Sequence, residues 1–207
     1  MCNHFSEICI FHWSSERLIT DQHFNIERAP VLENQGRLAE LRIDKLFSVS
    51  VEVKEGMTCI DLGSGTGVFS FALANYVGEN GVVYAVDDSN EMLEYIRKKN
   101  PPQNVLLIHR DAGDTGLESE MADVCLLAFI LHEVNTPDRL INEAYRLLKP
   151  KGKVLIVEWK VELTPKGPPV DVRITKAKLR QLFNQSGFVD FTYIDWSINH
   201  YVAVGTR

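Results

Sequence analysis

No two cysteines in this sequence are spaced C-x-x-C, and there are only four: Cys2, Cys9, Cys59 and Cys125. Cys59 and Cys125 lie inside apolar strand patterns, where a thiol behaves as a small hydrophobe, so the usage points to a reducing compartment. No apolar run approaches the ~18 residues of a membrane span. The N-terminus lacks a basic start followed by an apolar core, so no signal peptide is expected. Positive charge is not in excess either. The net charge of −6 leaves no broad footprint for nucleic acid. Short basic clusters (Arg97-Lys98-Lys99; Lys149, Lys151, Lys153; Lys176, Lys178, Arg180) read as solvated helix faces and ends. There is no internal repeat and no low-complexity segment. These absences leave a cytoplasmic globular chain of one domain, and 207 residues with 45% hydrophobic content suit that size.

What is present centres on Cys59-Ile60-Asp61-Leu62-Gly63-Ser64-Gly65-Thr66-Gly67-Val68-Phe69. A short buried strand runs into an acidic residue, three glycines at alternate positions and a helical pattern. Glycine permits the turn with φ > 0 and a close ligand approach, and loop N–H groups are expected to face the crevice above the sheet edge. The spacing is G-x-G-x-G, with Val68 where a dinucleotide fingerprint needs its third glycine. Asp61 would repel a pyrophosphate but suits an ammonium group. The local chemistry favours a cationic amino-acid ligand over a dinucleotide.

Residues 1 to about 30 hold His4, His12 and His23 with several aromatics and no clean periodicity. With Cys9 they match no standard metal-ligand spacing, so no metal is expected. An arm or lid over residues 1–32 is expected, ahead of a domain from 33 to 207. A helix is predicted over Leu32 to Phe47, with Glu40 and Asp44 on its wet side. Strand and helix signals then alternate: strand 57–62, helix 68–77, strand 82–86, a helix capped by Asp88 with Glu91, strand 105–108, strand 123–129. A helix opened by Thr136-Pro137 and closed by Pro150, strand 153–158, a helix over 175–187 and a final hairpin (189–196, 200–205) complete the pattern. Strands separated by helices imply a parallel sheet covered on both faces.

The run Asp61-Leu62-Gly63-Ser64-Gly65-Thr66-Gly67 resembles the first motif of the Rossmann-like (class I) S-adenosylmethionine-dependent methyltransferases. The likeness extends from about Met57 to the C-terminus and is nearest to the quinone-biosynthesis, small-molecule branch. It implies a three-layer α/β sandwich: a mostly parallel seven-stranded sheet with a C-terminal antiparallel hairpin. It also implies S-adenosylmethionine as methyl donor and S-adenosylhomocysteine as product. Asp61, Gly63, Ser64, Gly65 and Gly67 would hold the aminoacyl part. Asp87, ending VYAVDDSNEML, would hold the ribose; Asp88 belongs mostly to capping, and Met92 would pack on the adenine or in the core. Asp111 and Ala112 would meet the adenine. Phe129-Ile130-Leu131-His132-Glu133 resembles the family's loop facing the transferred methyl, with Phe129 at the cofactor and His132 a candidate base, its ordinary pKa near 6.5 allowing it to take a proton. Glu133 would hold the cofactor's amino group or cap the next turn; His200-Tyr201 read as structural signals in the last strand, with either side chain able to border the acceptor pocket. The segment Glu143 to Gly152 resembles the family's E-x-x-R-x-L-K-P-G-G, with Lys151 in place of a glycine. The N/D-P-P-Y/F motif of nucleobase amine methylation is absent. The expected activity is methyl transfer to a small-molecule acceptor by direct displacement; the alternatives are an RNA or protein methyltransferase, or a non-catalytic binding module. Monomer and homodimer are both open.

Overall fold

The computed structural model describes residues 26–162, 164 and 167–207. Apolar runs form β1 (Thr58–Leu62), β2 (Val82–Asp87), β3 (Val105–His109), β4 (Ala122–Ala128), β5 (Leu148–Trp159), β6 (Val189–Asp195) and β7 (His200–Thr206). Ahead of them stand α1 (Ala29–Leu32), α2 (Gln35–Leu41) and α3 (Ile43–Ser50). Between them run α4 (Val68–Val77), α5 (Asn90–Lys98), α6 (Pro137–Leu147) and α7 (Lys176–Ser186). The sheet order is β3-β2-β1-β4-β5-β7-β6. Strands β1 to β5 pair in parallel, and β7 runs antiparallel between β5 and β6. This is the expected Rossmann-like sheet, with the hairpin folded so that only β7 reverses.

Side chains alternate across a strand, and that period sorts the core into two layers. Cys59, Val83, Leu126, Val157 and Val202 pack with Leu46, Phe47, Phe69 and Leu73 from α3 and α4. Ile60, Cys125, Leu127, Ile156 and Tyr201 pack with Ile141, Leu147, Leu179 and Phe183 from α6 and α7. The same period reaches the strand tips. Asp61, Asp87, Trp159 and His200 fall on the α4 side; Glu158 falls on the α6 side.

Several boundaries differ from the sequence reading. The single helix over 32–47 is broken at Arg42, which adopts φ 46° and ends α2 while starting α3. The break lets the Trp196 indole N–H donate to the Leu41 carbonyl at 2.6 Å and sets the Arg42 guanidinium 4.3 Å above the Trp196 ring. Glu40 is partly exposed but not free: it accepts from Ser197 Oγ and from the Asn199 amide, both at 2.9 Å. The cap of α5 is Ser89, not Asp88; its Oγ accepts the Met92 N–H, and Asp88 is exposed. Helix α6 ends at Leu147 rather than Pro150 because Leu148 is already extended and pairs with Ala122. Lys151 holds φ 69° in that turn, a left-handed conformation that favours glycine.

Candidate functional site

The β1–α4 loop lies at the C-terminal ends of the parallel strands, where open α/β sheets bind ligands. Gly63, Gly65 and Gly67 all have positive φ (79°, 51° and 79°). Their N–H groups do not face the crevice as expected. Gly63 and Ser64 donate to the Val86 carbonyl, Gly65 to Asp87 Oδ2 at 2.7 Å, and Gly67 to the Ser64 carbonyl. The loop is therefore tied to the end of β2 rather than open as a phosphate cradle. The glycines also differ in what they face. A Cβ on Gly63 would overlap the Ile130 side chain, whereas beside Gly65 the nearest atom is Leu32 Cδ1 at 3.8 Å. Close approach to the backbone is possible at Gly65.

Asp61 is 1% exposed. Its Oδ2 accepts from Ser70 Oγ at 2.6 Å, while Oδ1 is sealed from solvent with no partner, as is Ser64 Oγ. Burial, with Asp87 adding to it against the Ser70 hydrogen bond, pushes the Asp61 carboxyl up to about 7. A buried carboxylate oxygen without a donor is costly unless something fills it. Asp87 accepts the Ser89 N–H at 2.9 Å through Oδ1 in addition to the Gly65 bond, so it fastens the loop to the α5 turn.

Asp111 lies two residues beyond β3 and is exposed. Its Oδ1 accepts the Gly113 N–H at 2.6 Å, and Arg139 lies 3.8 Å from the other oxygen. Ala112 beside it is buried. Met92 is buried in α5 at 2% exposure, which suits core packing.

The exit of β4 brings the remaining residues together. Phe129 takes φ 60° there, and its ring meets Phe69, Trp159 and His200, with centroids 6.2, 5.8 and 5.2 Å away. His200 is 1% exposed, with Nδ1 3.0 Å from Ser197 Oγ and 3.3 Å from Glu40. Its Nε2 is sealed and unpaired. Burial pushes this imidazole down to about 4, which Glu40 counters only in part. Tyr201, by contrast, is core: its hydroxyl donates to the Ile174 carbonyl and its ring stacks on Tyr193.

His132 pairs with the tip of β5. Its Nδ1 lies 2.8 and 3.0 Å from the two oxygens of Glu158, a fully buried carboxylate at the β5 tip. Burial alone would lower His132, but the Glu158 charge and hydrogen bond, with Glu133 adding, outweigh it and raise it above the ordinary value. The pairing turns Nδ1 toward Glu158, and Nε2 lies 3.9 Å from Glu133.

Two residues here escaped the sequence reading. Glu158 closes the apolar run Val154–Val157, and a charge at a strand's C-terminal tip was the available signal. Arg37 carried none. Its guanidinium lies 4.7 Å above the Phe129 ring and donates to the Leu32 carbonyl at 2.7 Å. Among the described residues no group of three His, Cys, Asp or Glu is placed to hold a metal. The N-terminal histidines and Cys9 lie outside the described residues.

Known proteins are similar to this chain in sequence and in fold. Residues 60–156 match a family model described as a methyltransferase domain. The chain is 35% identical over 125 residues to a demethylmenaquinone methyltransferase of Lactobacillus johnsonii, covering 58% of this chain and 51% of that protein. It is 32% identical to the ubiquinone/menaquinone biosynthesis C-methyltransferase UbiE of Haemophilus ducreyi, covering 57% and 48%. The chain thus spans about half the length of these curated relatives. A crystal structure of a SAM-dependent methyltransferase from Aquifex aeolicus superposes with a TM-score of 0.82 and 26% identity, covering 89% of this chain and 99% of that one. Fold, motif order and these matches point the same way: over residues 60–156 the chain is similar to methyltransferase domains, and its fold is that of the Aquifex aeolicus SAM-dependent methyltransferase.

Proposed function

We propose that this chain transfers a methyl group from S-adenosylmethionine to a small-molecule acceptor. The observation that carries this reading is Asp61, whose sealed, unpaired Oδ1 lies at the root of the glycine loop. That oxygen fits a ligand ammonium, which would supply the missing donor and hold the carboxyl ionised. When bound, the cofactor supplies an electrophilic methyl carbon on a sulfonium. Gly65 offers its open face to the aminoacyl part, and Asp87 stands at the β2 tip for the ribose hydroxyls. Asp111 and Ala112 border the adenine position. Phe129 and the aromatic rings around it exclude water where donor and acceptor must align. His132, held through Nδ1 by Glu158, presents Nε2 to take a proton from the acceptor.

The arm or lid expected over residues 1–32 lies mostly outside the described residues; within the described part, Leu32 stands nearest to Gly65. The names of the curated relatives direct the acceptor search first to quinols and phenols. A cytoplasmic location accords with the described helices, none of which is long and apolar enough to cross a membrane.

The test is transfer of a radiolabelled methyl group from S-adenosylmethionine to naphthalene-1,4-diols, simple phenols and amines. Labelled product with one class is expected. Tight cofactor binding with no transfer to any class would instead favour a binding module.

A further inference from the structure

Arg173 lies between β5 and α7, and only 6% of it is exposed. Burying a guanidinium is costly unless its N–H groups are taken up. Here the loop that leaves β5 takes them up. Nε and Nη2 donate to the Pro168 carbonyl at 2.9 and 2.7 Å. Nη1 donates to the Lys160 and Glu162 carbonyls, both at 2.8 Å, and Nη2 to Thr164 Oγ1 at 2.9 Å. One side chain thus gathers four separate points of that loop. These acceptors are neutral oxygens, so bonding to them leaves the positive charge in place.

The gathered loop rests on a ring. Gly167, at φ 101°, lies so near the Trp159 indole that a Cβ there would stand 2.7 to 2.9 Å from three ring atoms. The Arg173 guanidinium carbon is itself 5.6 Å from the centre of that ring. The same indole meets Phe129 and His200, with centroids 5.8 and 4.4 Å away. The Trp159 backbone N–H donates at 3.2 Å to Glu158 Oε2, the oxygen that lies 2.8 Å from His132 Nδ1. Trp159 therefore joins the loop to the His132–Glu158 pair. The charged groups that act on His132 are Glu158 and Glu133, which raise it, and Arg173, which lowers it.

We propose that Arg173 is a positioning residue for the acceptor side of the site: it draws the loop after β5 onto Trp159 and so fixes the aromatic wall beside the His132–Glu158 pair. Its permanent charge has a second effect. A cation near the pair favours the unprotonated imidazole, the form that can take a proton. This deepens the reading of His132 given above and rests on it.

The test uses the ligand-free chain and needs no acceptor. Hydrogen exchange over residues 160–173 and the His132 titration by NMR are followed in wild type, Arg173→Gln, Arg173→Lys and Gly167→Ala. Circular dichroism melts check that each variant folds. In Arg173→Gln, exchange over the loop is expected to rise about 10- to 100-fold, the range for charged hydrogen-bonded groups. Exchange over β1 and α4 should stay as in wild type, and His132 should titrate at a higher pH. Arg173→Lys keeps the charge but not the planar fork. Its loop should exchange faster than in wild type while His132 titrates as in wild type. Gly167→Ala keeps Arg173 whole and should still loosen the loop, because its Cβ meets the indole. Exchange raised evenly over the whole chain in both Arg173 variants would make Arg173 a core residue and overturn the proposal. So would unchanged loop exchange in Arg173→Gln or in Gly167→Ala, or an unmoved His132 titration in Arg173→Gln. S-adenosylhomocysteine binding, read by calorimetry, should change by less than about 2-fold in every variant; stronger weakening would place the effect at the methyl donor and also overturn it. Failure of wild type to bind that ligand would instead remove the methyl-donor reading, with the exchange and titration results left standing.

Discussion

Asp61→Asn separates the stability of this fold from its ligand chemistry. The wild-type carboxyl is raised from 3.8 to about 7, a difference equivalent to about 4 kcal/mol, an upper figure for so buried a group. The sign follows from proton binding. Between pH 4 and 7 the folded chain holds a proton on Asp61 that the unfolded chain has released. Its contribution to stability is thus fully present below the unfolded pKa and is lost as pH rises through the folded one. Asparagine keeps an oxygen to accept from Ser70 but does not titrate. Its amide N–H groups, placed where Oδ1 has no partner, cost about 1–3 kcal/mol at every pH. Asp61→Asn should therefore be less stable than wild type near pH 4.5 and equal or more stable near pH 8. The assay is urea unfolding of the ligand-free protein at half-unit steps between pH 4.5 and 8. Parallel pH profiles for the two proteins would refute the reasoning, because Asp61 would then titrate normally. The same variant should bind S-adenosylmethionine far more weakly, since an amide N–H group repels an ammonium.

Other outcomes follow from the same contacts. Glu158→Gln removes the charge that raises His132, so the His132 imidazole followed by NMR should titrate at a lower pH than in wild type; an unchanged titration would break the pairing. Asp87→Ala removes the acceptor of the Gly65 and Ser89 N–H groups. It should keep the fold, lower stability by about 1–3 kcal/mol and weaken cofactor binding, and unaltered affinity would remove the ribose assignment. Lys151→Gly relieves a left-handed residue at φ 69°. It should raise stability by about 1 kcal/mol in urea titrations.

The strands, most helices and the order of the sheet were legible because burial enforces period and because Gly, Pro and Thr mark ends. Val68–Val77 with Gly78 behind it was read to the residue. Where the reading erred, a distant contact decided. No local signal breaks the helix at Arg42; Trp196, 154 residues later, does so by taking the Leu41 carbonyl. Glu40 reads as solvated by periodicity, yet the turn at Ser197 captures it. The glycine loop was found at once, but its N–H groups are spent on Val86 and Asp87, a use that only the β1–β2 pairing reveals. Glu158 and Arg37 lay hidden for a related reason. A lone charge in a sequence carries no meaning until the fold sets His132 or Phe129 beside it.

The most direct measurement is calorimetric titration of the purified chain with S-adenosylmethionine and S-adenosylhomocysteine, with NAD as control. The site built from Asp61, the glycine loop and Asp87 predicts micromolar binding of the first two and none of NAD. Binding of NAD, or of neither methyl-donor ligand, would contradict it.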